Sequence, residues 1–121
     1  MRSRMLVLTA VAATALGFAA TAAAAAPSLS LSRSTVRPGQ TVVVRGTAPG
    51  CPTGDSATII SRAFSHLHDF AGVPAVYARV RAGGAFQATV RIPIGRKPGR
   101  YGITARCGGG NLGVQRFLRV L

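Results

Sequence analysis

Acid is what this chain most lacks. Asp55 and Asp69 are its only acidic residues, set against 15 Lys and Arg, for a formal net charge of +13. Glycoside hydrolysis needs two carboxyls at a defined separation, and nothing in the sequence brings this one pair together. Tryptophan is absent, and there are two histidines and two cysteines. A Ser–His–Asp triad has no nucleophile elbow to carry it. Cys107-Gly108-Gly109-Gly110-Asn111 lacks the Gly-Lys-Ser/Thr ending and the following helix of a phosphate loop, and reads as a hairpin after a strand. No internal repeat and no amphipathic helical run is present. The expectation is a non-enzymatic protein with no cofactor.

The N-terminus is the most directive segment. Arg2 and Arg4 precede an apolar run from Leu6 to Ala20, followed by the small-residue stretch Thr21-Ala-Ala-Ala-Ala-Ala26. This is the three-part pattern of a secretory signal peptide at 1–25, cut after Ala25. The run falls short of the roughly 20 apolar residues that span a bilayer, so no membrane span is expected after cleavage. No cysteine near the cleavage region offers a lipid anchor. The expected localisation is extracellular or at the cell envelope.

The remaining residues, 26–121, suit one small domain. A chain this short buries a modest core, so a covalent staple is expected. Cys51 and Cys107 form an even pair in an oxidising compartment, which reads as a disulfide. All but Lys97 of the 15 basic residues are arginine. Such a surface attracts polyanions.

Short β-rich segments alternate with Gly/Pro turns, the spacing of a sandwich. Seven strands are expected, near 28–35, 41–48, 56–64, 74–81, 85–92, 100–107 and 114–120. Arg37-Pro38-Gly39-Gln40 supplies the first turn. In the fourth strand Val76, Ala78 and Val80 alternate with Tyr77, Arg79 and Arg81; in the fifth Phe86, Ala88 and Val90 alternate with Gln87, Thr89 and Arg91. A hairpin through Ala82-Gly83-Gly84 sets Val80 against Phe86 and Val76 against Val90. The same register puts Arg79, Arg81 and Arg91 together on solvent as a candidate anion-binding face. In the sixth strand Cys107 faces inward with Ile103 and Ala105, so pairing with Cys51 would tie one end of the sandwich. That end, with its glycine loop, is a candidate recognition surface. In the last strand Arg116 falls on the face of Val114, Leu118 and Val120, which points to an edge or a bulge.

Val36-Arg-Pro-Gly-Gln-Thr-Val-Val-Val-Arg-Gly46, Gly84-Ala-Phe86 and Pro98-Gly-Arg-Tyr101 resemble the turn and core motifs of immunoglobulin-like domains in secreted actinobacterial proteins. The resemblance covers about 28–121 and implies an all-β, antiparallel immunoglobulin-like sandwich. Gly99-x-Tyr101 is similar to a tyrosine corner, whose hydroxyl bonds to the chain upstream. The antibody pattern places Cys two residues after that Tyr, where this chain has Ile103, so its staple is not the central inter-sheet one. The layout also resembles the neocarzinostatin-type apoproteins, secreted carriers of small molecules, although those have two disulfides and an acidic surface.

His66-Leu67-His68-Asp69 is the one cluster with metal-binding spacing, because alternate residues of an extended segment share a side. The segment Phe64 to Phe70 also resembles the copper-ligand strand of copper/zinc superoxide dismutases, but the chain has no third histidine. Metal binding through His66 and His68 is therefore expected to be weak or absent. The expected function is a secreted binding or structural module whose partner is an anionic cell-wall polymer or another extracellular protein. The alternatives are a small-molecule carrier of neocarzinostatin-like layout and a metal-binding module. Nothing indicates a specific nucleic-acid partner.

Overall fold

Two sheets packed face to face enclose one apolar core. The computed structural model describes residues 10, 12, 26–108 and 110–121. The expected leader, 1–25, lies outside the described residues apart from positions 10 and 12. Among the described residues no helix is long and apolar enough to cross a membrane.

The strands are β1 (Ser28–Leu31), β2 (Thr35–Val36), β3 (Thr41–Thr47), β4 (Ser56–Ile60), β5 (His68–Phe70), β6 (Val73–Arg79), β7 (Ala85–Arg91), β8 (Gly99–Cys107) and β9 (Gly110–Val120). One sheet has the order β1-β3-β7 and the other β2-β9-β8-β4-β6-β5. All pairings are antiparallel except β2 with β9. The all-β sandwich expected from the sequence is the observed fold.

Alternation dictates the core. Val42 and Val44 of β3, Ala57 and Ile59 of β4, Ile103 and Ala105 of β8, and Leu118 and Val120 of β9 are buried between the sheets. Removing such side chains from water is the main stabilising term, roughly 1.5–3 kcal/mol for each large one.

Nine strands are observed among the described residues where seven were expected: β5 is an addition between the third and fourth expected strands, three expected strands are recut, and the other bounds differ by one or two residues. Segment 28–35 is two strands. Leu29 and Val36 are both buried, yet they are an odd number of residues apart and could not face one core from a single strand. The chain therefore leaves β3 at Ser32, whose hydroxyl accepts from Val43 N at 2.8 Å, and joins β9 through Arg119 N donating to Ser34 O at 2.8 Å. Segment 56–64 ends as a strand at Ile60. Phe64, out of phase with Ile59, reaches the core through a turn in which Phe64 N donates to Ser61 O. The last strand begins at Gly110 rather than 114 and contains an irregularity opposite Ala105, where the register jumps from Thr104↔Gln115 to Arg106↔Asn111. Arg116 pairs with Ile103 just outside the irregularity, where β2 does not pair with β9, and is exposed.

The expected hairpin between 74–81 and 85–92 does not form. β6 pairs with β4 and β5, whereas β7 pairs with β3, with Val42 opposite Val90 and Val44 opposite Ala88. Ala82–Gly84 carries the chain across the sandwich in one 3-10 turn, with Gly83 and Gly84 at φ of 79° and 82°. The inward faces of both strands are as expected, since alternation is the same for a hairpin and for an arch. Gly84 holds the crossing. Its carbonyl accepts from Ala48 N at 2.8 Å, and a methyl at Gly84 would come within 2.6 Å of Ala48 O.

Cys51 and Cys107 are disulfide-bonded with Cα atoms 5.9 Å apart. The bond joins the turn after β3 to the end of β8, so it ties the two sheets at one end of the sandwich rather than at its centre. It closes a separation of 56 residues, for which the chain-entropy model gives about 4 kcal/mol. Replacing both cysteines with alanine should lower the unfolding free energy by about 2–5 kcal/mol in a urea titration. A second titration tests the crossing. Gly84→Ala should cost about 2 kcal/mol or more, from left-handed strain plus overlap with Ala48. Gly83→Ala, which meets nothing within 4 Å, should cost about 1 kcal/mol from strain alone.

Candidate functional site

The outer face of the six-stranded sheet carries side chains that a solvated face does not require. On β8 the outward positions are Arg100, Gly102, Thr104 and Arg106, and on β9 they are Gln115, Phe117 and Arg119. Register sets Arg100 directly opposite Arg119 and Gly102 opposite Phe117. Two like charges opposed across a ladder destabilise the pair. The Arg100 guanidinium lies over the Phe117 ring, 3.6 Å from its centroid, and Phe117 is 42% exposed. Gln115 and Phe117 lean over Gly102, where a methyl would come 2.8 Å from the Gln115 amide nitrogen.

Beside this pair runs an open groove of about 860 Å³, lined by Ser34, Thr35, Pro98, Gly99, Arg100, Phe117, Arg119, Val120 and Leu121. One wall is the β1–β2 crossover and the other is the entry to β8. The second wall is pinned twice. The Tyr101 hydroxyl donates to Lys97 O at 2.7 Å, the tyrosine-corner bond expected from Gly99-x-Tyr101. Arg96 donates from Nη2 to Phe64 O at 2.8 Å and from Nε to Ala63 O at 3.2 Å, tying the loop before β8 to the turn after β4. The groove therefore combines a ring, two guanidiniums and two hydroxyls, and no carboxylate side chain lines it.

Further along the same sheet face, Arg106 lies over the Phe70 ring at 4.7 Å, and the His68 and Tyr77 rings stand 4.8 Å apart. β5 brings these groups in by pairing with β6, with His68 opposite Ala75 and Phe70 opposite Val73.

The arginines grouped at the sequence level do not share one face. Arg79 is on the outer side of β6, in the six-stranded sheet, whereas Arg91 is on β7 in the other sheet, where its Nε donates to Gly39 O at 3.2 Å. Arg81 lies between them, at the crossing. All three are exposed, as alternation requires, but the crossing separates them. The two imidazoles also take separate partners. His66 Nδ1 bonds Asp69 Oδ1 at 2.8 Å, while His68 packs on Tyr77. Among the described residues no group of three metal-ligating side chains converges. Arg100, Arg119 and Phe117 were missed from the sequence. Their signal was present, since Phe117 is an aromatic at an outward position with outward arginines on its own and the neighbouring strand.

No family model and no curated protein matches this chain. Among solved structures it is similar to macromomycin, with a TM-score of 0.50 and 16% identity over 78% of this chain and 96% of that one. At that identity the likeness is one of fold, and it extends over nearly the whole of the smaller protein. A second similarity is to a Pseudomonas fluorescens alkylpurine DNA glycosylase bound to DNA containing an abasic site analog, with a TM-score of 0.49 and 18% identity. This chain matches 30% of that one. The macromomycin likeness agrees with the neocarzinostatin-type layout read from the sequence.

The groove wall gives a direct test of the tyrosine corner. Tyr101→Phe should cost about 1 kcal/mol of stability, the net worth of one such hydrogen bond. Faster hydrogen exchange at the Gly99 and Arg100 amides should accompany it.

Proposed function

We propose that this chain is an exported, non-enzymatic carrier or binding protein. Its ligand is a small molecule with a flat apolar body and an anionic group, taken up in the groove at Arg100, Phe117 and Arg119. Support for export comes from the leader pattern at 1–25 and from the Cys51–Cys107 disulfide. Support for a carrier comes first from the groove itself. The observation that carries the reading is the opposition of Arg100 and Arg119 across the ladder with the Phe117 ring held beneath one of them. An anion between the two guanidiniums relieves their repulsion and accepts charge-assisted hydrogen bonds from both. An aromatic body adds stacking on Phe117 and on the guanidinium plane. Ser34 and Thr35 supply hydroxyls at the rim. The macromomycin-like fold is consistent with a carrier.

The envelope-adhesion reading has less behind it. It rested on Arg79, Arg81 and Arg91 acting as one patch, and they are distributed over two sheets.

The test uses 2-naphthoate and its neutral isostere 2-naphthamide as probes, titrated by fluorescence at fixed ionic strength. Naphthoate should bind about tenfold or more tightly than naphthamide, a difference of about 1.4 kcal/mol. Arg100→Ala and Arg119→Ala should abolish the difference, and Phe117→Ala should weaken both probes. Equal binding of acid and amide, or a preference that survives loss of both arginines, would contradict the proposal.

A further inference from the structure

At the other end of the sandwich, beside the disulfide-tied turn, the crossing brings a second pair of arginines into one concavity. Arg45 points outward from the middle strand of the three-stranded sheet. Arg81 lies two residues past the end of β6, a strand of the other sheet, and its N donates to Ala85 O at 2.8 Å across the turn. The two line a cavity of about 350 Å³ together with Gly46, Ala85, Phe86 and Gln87.

The charged side chains of this cavity are both guanidiniums, and Gln87 is held beside one of them. Arg45 Nε donates to Gln87 Oε1 at 2.9 Å. That bond orients the Gln87 amide, occupying one of the two lone pairs of Oε1 and leaving the amide nitrogen to donate. The terminal nitrogens of Arg45 and the whole Arg81 guanidinium also donate only. No carboxylate side chain lines the cavity, and the side-chain bond of Asp69 goes to His66, in a different part of the fold. Beneath the donors lies a floor with no side chain at Gly46. On the inner side of the sheet a methyl there would overlap the Phe86 ring and the Ser28 carbonyl oxygen, so the buried Phe86 ring packs directly under the Gly46 backbone.

We infer that Arg45, Arg81 and Gln87 form a site for a phosphate monoester of a small organic molecule, separate from the groove at Arg100 and Arg119. Two fixed positive charges are neutralised by one dianion, and a phosphate monoester is largely dianionic above its second pKa of about 6. The planar guanidinium forks match tetrahedral oxyanions in two-point contact. The volume exceeds what an isolated oxyanion fills, which leaves room for the organic part of an ester beside the exposed Ala85.

The test follows the arginine Hε–Nε and Gln87 side-chain amide resonances of the full exported chain by NMR at pH 7.5. The probes are glycerol 3-phosphate, inorganic phosphate and dimethyl phosphate, each matched in ionic strength with potassium chloride. Saturable shifts confined to Arg45, Arg81 and Gln87 are expected, with glycerol 3-phosphate about tenfold tighter than the monoanionic dimethyl phosphate. An Arg45→Ala/Arg81→Ala double variant should lose the response, while Arg100→Ala/Arg119→Ala should keep it, so failure here is distinct from failure of the groove. Both arginines are exposed, and unchanged resonances from β8 and β9 would show that the double variant is folded. Shifts spread over all arginines and reproduced by chloride would overturn the site. So would retention of binding by the Arg45→Ala/Arg81→Ala variant. Equal affinity for inorganic phosphate and the ester would overturn the assignment to an organic ligand.

Discussion

The close approach of Gly84 to Ala48 is the constraint on which the rest of the molecule depends. Two successive left-handed glycines turn the chain out of one sheet and deliver it to the other, and the absence of a side chain at Gly84 lets it dock against the end of β3. β7 then lies beside β3, burying Phe86 and Val90 across from the inner face of the larger sheet. The disulfide reinforces the same end, since Cys51 N donates to Ala48 O at 2.9 Å and the bond then runs to the end of β8. Backbone docking, core burial and covalent closure thus act within a few residues of one another. Interactions so close together are not expected to contribute independently.

The same crossing decides which charges meet. A basic chain with two acids cannot pair its arginines with carboxylates. They must be spread through solvent, bonded to backbone carbonyls or placed where an anion can satisfy them. The structure uses each solution. Arg116 is exposed on β9, Arg91 and Arg96 donate to carbonyl oxygens, and Arg100 and Arg119 are opposed beside a groove. The uses are distributed over both sheets, so net charge alone says little about where a ligand binds.

Much of this was legible in the sequence, because the period-two pattern fixes the faces of strands. Val76, Ala78 and Val80 and their outward neighbours read correctly, as did the disulfide and the tyrosine corner. Sheet membership was not legible. An arch and a hairpin give the same alternation, and they differ only in whether a three-residue turn is held by its own strands or by a distant backbone such as that of Ala48. The expected strand 28–35 stopped one residue short of Val36, and the buried Leu29 and Val36 are out of phase for a single strand. The groove needed the β8–β9 register, which the irregularity near Ala105 shifts by residues that no local pattern announces.

The central proposal is that the outer face at β8 and β9, rather than the sandwich core or the disulfide-tied end, receives a small-molecule ligand. A crystal structure of residues 26–121 soaked with 2-naphthoate tests it most directly. The account predicts the ring against Phe117 and the carboxylate between Arg100 and Arg119, with the β2 and β8 walls in place. Naphthoate lodged between the sheets, or at the Cys51–Cys107 end with the Arg100 groove empty, would contradict it.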